Sequence, residues 1–528
     1  MRFALPAARL VPVLVAGWCA FLFLYGVDAG PLYRTESLRA IIGRECLHGH
    51  WLYPVLYGEP FLTKPPGHYA AIGLCSLPFG EVSAATARLP SVLAAAFAVV
   101  LMHGMFRRVL GEGAALLIAV LLPCSVLWLD KVPSAEIDMT LVGWVTAAVV
   151  LFHRALESQG RASDAALGFW IGALLCVAAG TLTKWTAPAF FYLTVIPLLA
   201  WRRQLGLLFG WRHGVAVGAA GAVCALWALA VVQQVGWDAL SDTIRREATY
   251  RFAPKASKGY PWGDVALYPL AVFAAHLPVS GFALLTFRRS FWAKFDERGR
   301  LLLQLLHCWT WPNLLFWTLV PNHNVRYALP MSAGLMGLGV VGLWGWLKGS
   351  SRGRPNPPSP FPKKEGGGAW LNEPAASTTG LTSTNPITLA EAQEANPAFT
   401  PFLLREGGRG VRLLLAFLLC WAVAKVAFVE AVIPNRTANR NAEATAAELR
   451  ARVPAGQPLY VLKLKDEGVT FYYARPVLKL TGPNALPGGA LALLIRSEWE
   501  DRAAFGHLEL LCCIRDQQGD PIYLVRNP

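Results

Sequence analysis

The sequence predicts a mainly α-helical membrane protein that crosses the bilayer many times and ends in a small α/β domain. Hydrophobic residues make up 55% of the 528 residues and charged residues only 15%, which is less charge than a soluble domain of this length carries. Long apolar runs alternate with short polar loops, and basic residues gather in every second loop. The net charge of +15 therefore follows the positive-inside pattern and does not indicate a nucleic-acid partner.

Eleven apolar runs are candidates for membrane-spanning helices, since a span needs roughly 20 mainly apolar residues. The first run, from Leu10 to Tyr25, is long for a signal peptide and no A-x-A cleavage site follows it, so it is predicted to be retained. With the N-terminus inside, the odd number of spans leaves the C-terminal tail outside, as in a multi-pass protein of the cytoplasmic (inner) membrane. The predicted spans lie near residues 8–26, 88–106, 113–129, 138–153, 165–182, 186–201, 213–234, 263–286, 302–320, 327–347 and 411–433.

Four regions follow from this count. A transmembrane domain with a long outer loop comes first, and a Pro/Gly/Ser-rich stretch after it is predicted to be a disordered cytoplasmic insertion. One more span then leads to a segment in which short strand-like runs alternate with helical pieces, which predicts a small outer α/β domain. These regions are residues 1–348 (outer loop 27–87), 349–410, 411–434 and 435–528.

Charged residues stand at the predicted outer ends of the apolar runs. Charge near hydrocarbon is costly, so it usually serves chemistry or a charged ligand. Lys184 and Arg326 have the wrong charge for an outer turn under the positive-inside tendency, which favours an anionic partner such as a phosphate. The sequence therefore predicts an outer site built from Glu36, Lys64, Arg88, Glu136, Asp138, Lys184, His323 and Arg326.

Each of these residues also has a purely structural explanation. Glu36 begins a helix with Thr35 as its predicted N-cap, where the helix dipole favours an acid, but at the membrane boundary it is also a candidate general base. Lys64 could snorkel to the interface, yet a lysine beside a helix start is also a good anion site. Arg88 could be an interface anchor, and a helix cap could explain one of the two acids near residue 137. Their shared position favours a site.

Several other functional classes lack support in the sequence. No P-loop, GxGxxG or HExxH motif occurs, and the GxSxG pattern of hydrolases is missing. The ten cysteines contain no CxxC pair, so they indicate neither a disulfide framework nor a zinc signature.

The order of these charges resembles the GT-C membrane glycosyltransferases, especially the aminoarabinose-transferase and protein-mannosyltransferase (family 39-like) group. The resemblance runs from the first span to about residue 347. Each motif alone is weak, but six in the family's order are fairly specific. They are Arg34-Thr35-Glu36 with Arg44-Glu45, Thr63-Lys64-Pro65-Pro66, Ala87-Arg88-Leu89-Pro90-Ser91, Glu136-Ile137-Asp138-Met139, Leu182-Thr183-Lys184, and Arg326-Tyr327 with Pro330.

The resemblance implies an enzyme that takes a sugar from a polyprenyl-phosphate carrier on the non-cytoplasmic face by inverting direct displacement. Glu36 is then the implied base or acceptor-orienting acid, and Asp138 supports the acceptor side or the basic cluster. Lys64, Lys184 and Arg326 are implied to hold the departing lipid phosphate. Membrane lipids are further partners, and the acceptor stays open among a glycolipid such as lipid A, a protein and a surface polysaccharide.

Two departures from the family pattern matter. Thr35 stands where the family commonly has aspartate, so Glu36 substitutes for it or the base lies elsewhere, at Asp28 for example. Thr63 replaces a glutamate that can take part in metal binding, so no cofactor is certain and a divalent metal is doubtful. The missing aspartate keeps a second hypothesis open, a non-catalytic polyprenyl-phosphate binder or flippase subunit. A secondary transporter ranks last, because its acids would lie near the bilayer midplane.

Overall fold

The computed structural model describes residues 7–159, 165–252, 260–351, 408–438, 442–463 and 466–528. Most of the insertion predicted at 349–410 therefore lies outside the described residues. The described chain is mainly helical up to residue 452. In chain order the helices are α1 (Ala7–Leu24), α2 (Thr35–Leu47), α3 (Gly67–Ser76), α4 (Ala84–Leu110), α5 (Glu112–Leu121), α6 (Val126–Lys131), α7 (Ile137–Glu157), α8 (Ala165–Thr181), α9 (Ala187–Trp201), α10 (Trp211–Val235), α11 (Trp237–Phe252), α12 (Trp262–Ala275), α13 (Val279–Ala283), α14 (Arg289–Trp292), α15 (Glu297–Leu319), α16 (Leu329–Ser351), α17 (Gly408–Ala427), α18 (Ile433–Thr437), α19 (Ala442–Arg452), α20 (Glu467–Tyr473) and α21 (Arg496–Glu500).

Five of the described helical segments are long and apolar enough to cross a membrane, and the bent pair α12 and α13 makes a sixth if it counts as one span. Four further apolar helices are shorter, and they coincide with predicted spans. The count of eleven spans therefore stays a prediction. The five segments are Ala84–Leu110, Ile137–Glu157, Trp211–Val235, Val325–Leu347 and Arg412–Thr437.

The C-terminal segment contains a small sheet with the strands β3 (Leu459–Val461), β4 (Val477–Lys479), β5 (Leu491–Ile495), β6 (Glu509–Arg515) and β7 (Pro521–Arg526). Its five strands are arranged in the order β4-β3-β5-β7-β6, with β3 parallel to both β4 and β5, and β7 antiparallel to both β5 and β6. Buried Leu491, Leu493 and Leu524 form part of its core.

This domain packs on the loop between α1 and α4. A two-stranded hairpin in that loop, β1 (Val55–Leu56) and β2 (Glu59–Pro60), presents Tyr57 to the domain. The Tyr57 hydroxyl bonds the Thr470 hydroxyl at 2.7 Å, and the Tyr57 carbonyl accepts from the Lys479 amide at 2.9 Å. The loop that carries Glu36 and Lys64 is therefore held against the C-terminal domain.

Close backbone contact joins the start of α3 to the turn after α8. The Gly67 amide donates to the Leu182 carbonyl at 2.8 Å. A Cβ atom on Gly67 would lie 2.7 Å from the Thr183 hydroxyl oxygen and 2.8 Å from that carbonyl. Only glycine fits there without moving the turn, and the next residue of the turn is Lys184.

We expect Gly67→Ala to lower the free energy of unfolding by about 1–3 kcal/mol, because the added methyl group overpacks against backbone. Thermal unfolding in detergent measures this. Gly104→Ala in α4 is the matched control, since a Cβ there meets nothing within 4 Å and the alanine favours the helix by roughly 0.5–1 kcal/mol. Equal midpoints for the two variants would contradict the packing described.

Candidate functional site

The predicted charged residues lie close together because the helices and turns that carry them meet at one end of the helix bundle. Glu36 is the second residue of α2, Arg88 lies near the start of α4, and Asp138 is the second residue of α7. Lys184 occupies the turn between α8 and α9. Arg326 lies in a short 3-10 turn before α16, where its amide donates to the Asn324 side chain at 3.1 Å.

Glu36 is held by two donors. Its Oε1 atom accepts from the Arg88 Nε at 3.2 Å and from the Ala135 amide at 2.9 Å. Arg88 is buried and also donates to the carbonyls of Val27 and Ala29. Glu36 and Arg88 thus tie the loop between α1 and α4 to α4 and to the segment before α7.

The start of α2 differs from the prediction. The helix begins at Thr35, but its N-cap is Arg34 and not Thr35. Arg34 has φ 50° and ψ −118°, and no side chain caps the helix. Positive φ is unfavourable for a residue with a Cβ atom, so strained backbone precedes Glu36.

Glu136 is the centre of an ion network. Its carboxylate pairs with Arg39 at 3.0 Å and with Arg326 at 3.4 Å, and it is only 2% exposed. Burial alone would raise the pKa of the Glu136 carboxyl, but the charges of Arg39 and Arg326, with help from Lys131 and Lys184, bring it down to about 2. Glu136 is therefore ionised at neutral pH.

Asp138 contacts two cations, Lys184 and Arg326. It forms an ion pair with Lys184, and its Oδ2 atom lies 3.9 Å from the Arg326 Nε. Both Asp138 and Lys184 are buried, and the Lys184 ammonium lies 4.4 Å from the centre of the Tyr327 ring. Arg326 bridges the two acids and keeps 29% of its side chain exposed.

Two predicted residues make contacts outside this network. Lys64 pairs with Glu247 of α11 at 2.5 Å and donates to the Thr63 carbonyl. The His323 ring lies 4.5 Å from the Tyr268 ring, and its Nδ1 bonds the Val320 carbonyl at 2.5 Å. The structure thus brings six of the eight predicted residues into one chain of contacts.

A cavity of about 500 Å³ opens beside the network. Glu36, Arg88, Glu136 and Arg326 line it, while Asp138 and Lys184 lie behind its wall. Asp28, the alternative base, instead lines a separate cavity of about 630 Å³. The charged residues that line the site cavity are Arg34, Glu36, Arg88, Asp130, Lys131, Glu136, Arg326 and Arg436. Five are basic and three are acidic, so the cavity favours an anion.

The sequence reasoning missed several residues of this site. Arg39 lies three residues after Glu36, a spacing that places both on one face of a helix. Arg436 pairs with Asp130 at 3.3 Å and lies at the predicted outer end of the last span, where a basic residue departs from the positive-inside pattern. His68 is buried beside Thr140, and burial with the nearby Arg39 charge lowers its pKa to about 3, so it is neutral.

The part of the chain that the structure describes contains no group of three or more His, Cys, Asp or Glu side chains that could hold a metal ion.

Several known proteins are similar to this chain in sequence. Residues 63–230 match a family model described as dolichyl-phosphate-mannose-protein mannosyltransferase, a range that contains Lys64, Arg88, Asp138 and Lys184. The undecaprenyl phosphate-alpha-4-amino-4-deoxy-L-arabinose arabinosyl transferase of Erwinia tasmaniensis is 26% identical over 60% of this chain and 56% of its own length. Its namesake from Pseudomonas savastanoi pv. phaseolicola is 30% identical over 41% of this chain and 40% of its own length.

The fold agrees over a longer range. The crystal structure of ArnT from Cupriavidus metallidurans bound to undecaprenyl phosphate matches with a TM-score of 0.70 and 19% identity over 98% of both chains. The predicted resemblance to this group of GT-C glycosyltransferases is confirmed. In sequence, the chain spans about half the length of the curated relatives it matches.

We expect acid to remove a stabilising contribution of Glu136. Its folded-state pKa lies below the ordinary value of 4.5, so the contribution is fully present above pH 4.5 and is lost as the pH falls toward about 2. Thermal midpoints measured across this range should fall, and Glu136→Gln should start lower and lack this part of the slope.

The matched control for this experiment is Glu112→Gln. Glu112 pairs with Arg107 at 2.7 Å, but its side chain is 39% exposed, so its ion pair is screened by water. An acid profile of Glu136→Gln that coincides with the wild-type profile would refute the buried ion pair.

Proposed function

We propose that this protein is a membrane glycosyltransferase that moves a sugar from a polyprenyl-phosphate donor to an acceptor on the non-cytoplasmic face. The observation that carries the proposal is the site cavity, whose lining has more basic than acidic residues and which adjoins a buried ion network. The names of the matched relatives support the same donor class and the transfer reaction. The acceptor is a glycolipid, a protein or a glycan.

The chemistry follows from the charge distribution. An acceptor oxygen attacks the anomeric carbon from the face opposite the phosphate, a bond to that oxygen forms, and the bond from carbon to phosphate oxygen breaks. The configuration inverts and no sugar–enzyme bond is formed. The leaving polyprenyl phosphate gains one negative charge, which fixed cations stabilise more strongly in the transition state than in the ground state.

The cations are suited to this task because they are already positioned. Arg326 is exposed to the cavity, while its other side is fixed by Glu136 and Asp138. We assign Arg326 the direct contact with the lipid phosphate. Lys184, paired with Asp138 behind the wall, contributes its charge over a longer distance. Lys64 would have to exchange Glu247 for the phosphate to take part.

Glu36 is the proposed proton acceptor or acceptor-orienting acid, and it lines the cavity. Its two contacts both involve Oε1. The engagement of this carboxylate with Arg88 and an amide also favours the alternative function, a polyprenyl-phosphate binder or flippase subunit without transfer activity. The proposed orientation, with the N-terminus inside and residues 435–528 outside, puts the cavity on the same side in both cases.

We expect Glu36→Gln to abolish transfer while binding of the donor survives, because the amide keeps the shape of the side chain but accepts no proton. Purified protein is incubated with undecaprenyl-phosphate aminoarabinose and an acceptor panel of lipid A, protein and polysaccharide. Release of undecaprenyl phosphate reports transfer, and retention of the donor reports binding. Donor binding without release in the wild type would favour the binder, and unchanged release in the variant would remove Glu36 from its role.

We expect Arg326→Gln to weaken binding of undecaprenyl phosphate roughly tenfold or more, because a hydrogen bond to a charged group contributes about 1.5–3 kcal/mol. Arg326→Lys should recover part of this loss, since a lysine keeps the charge but not the planar fork. Arg245→Gln in α11 is the control, because that side chain is 78% exposed and pairs only weakly with Asp242 at 3.9 Å. Equal affinities for Arg326→Gln and the control would exclude the assigned contact.

A further inference from the structure

A second basic cavity lies at the other end of the helix bundle. Its volume is about 380 Å³, and it is formed by the C-terminal ends of α4, α7 and α9 and the N-terminal end of α15. The opposite ends of these helices lead to the candidate site, where Arg88, Asp138 and Lys184 are found. The 27 residues of α4 span about 40 Å at 1.5 Å per residue, so the two cavities are separated by roughly the thickness of a bilayer.

The charges of this cavity are not balanced. Four arginines and two glutamates line it, which leaves an excess of two positive charges. Glu157 is shared between Arg108 at 2.8 Å and Arg154 at 3.9 Å. Arg202 pairs with Glu297 at 2.9 Å. The fourth arginine, Arg298, has no acidic partner within the described ranges.

Exposed aromatic residues indicate where this cavity lies along the membrane normal. Trp201 is 50% exposed at the end of α9, and Phe209 and Trp211, which follow it in the chain, are 90% and 63% exposed. Aromatic side chains of this kind concentrate where the hydrocarbon meets the headgroups. Arg202, which lines the cavity, directly follows Trp201 in the chain. The cavity therefore lies at the level of the lipid headgroups.

We propose that this cavity binds the phosphate-bearing headgroup of an anionic membrane lipid. Guanidinium groups bind phosphate through paired hydrogen bonds, and basic pockets between membrane helices at this depth are suited to such headgroups. Leu301 supplies an apolar wall, and Ser158 also lines the cavity, with its hydroxyl donating to the Arg154 carbonyl at 2.8 Å. A soluble phosphate would use the same charges but would gain nothing from a position beside the hydrocarbon.

The binding has a structural consequence that is separate from sugar transfer. The cavity joins the ends of four helices, and like charges on those ends repel each other. A bound lipid phosphate would neutralise the excess and hold the helix ends together. This inference does not depend on the proposed function, because the donor and the acceptor are proposed to bind in the other cavity.

The test titrates the purified full-length protein in detergent with cardiolipin and counts bound lipids by native mass spectrometry. A guanidinium that contacts a phosphate in the cavity through charged hydrogen bonds adds roughly fivefold or more to the affinity, and an arginine outside the cavity makes no such contact. Arg298→Gln should therefore bind cardiolipin about fivefold more weakly, and Arg154→Gln with Arg298→Gln about 30-fold. Arg298→Gln leaves the ion pairs of Glu157 and Glu297 in place, so a weaker affinity of this variant for cardiolipin is not explained by unfolding.

Arg289→Gln is the matched control, since it removes the same charge from α14 at the same end of the bundle but outside the cavity. Its affinity for cardiolipin should equal that of the wild type. Equal weakening by Arg289→Gln and Arg298→Gln would overturn the proposal in favour of general surface attraction. Inorganic phosphate that occupies the cavity as tightly as cardiolipin at equal phosphate concentration would also overturn it, as would absence of lipid binding.

Discussion

The architecture of the site depends on the buried acids at the start of α7. A buried carboxylate is stable only when it is paired and hydrogen-bonded, so Glu136 and Asp138 determine where their cationic partners lie. Arg39 comes from α2, Lys184 from the turn after α8, and Arg326 from the turn before α16. The same two acids thus fix three distant segments of the chain around one point.

The ion pairs of Glu136 and Asp138 also influence which charged side chains line the cavity. Asp138 and Lys184 are buried and do not line the cavity, while five basic and three acidic residues line it. Fixed charges of this kind stabilise a developing phosphate anion without reorganising during the reaction. Arg436 adds charge from the C-terminal end of the last apolar segment and shares Asp130 with the neighbouring Lys131. The loop between α1 and α4 and the last apolar segment therefore both contribute charged residues to the cavity lining.

The sequence predicted which end of the bundle carries the site but not which residues pair there. Position along the apolar runs sufficed for Lys184 and Arg326, because charge at a membrane boundary is costly and conspicuous. The contact of Arg39 with Glu136 joins residues far apart in the chain, and only the packing of α2 against the start of α7 creates it.

Lys64 illustrates the opposite case. Its motif matched, yet α11 supplies Glu247 as its partner, and α11 carried no predicted acid. The C-terminal domain was predictable as α/β from its alternating strand-like runs, but its docking on Tyr57 was not.

Thr35 stands where the family commonly has aspartate, so Glu36 is the residue to which the proposed catalytic role is assigned. Its carboxylate is held in place by the Arg88 guanidinium and the Ala135 amide, and both contacts use Oε1. A carboxylate fixed in this way is suited to orienting an acceptor. A neutral hydroxyl acceptor must lose its proton as the new bond forms, whereas an acceptor that is already ionised needs no base. The acidity of the acceptor therefore decides whether Glu36 has to act as a base or only has to position the attacking oxygen.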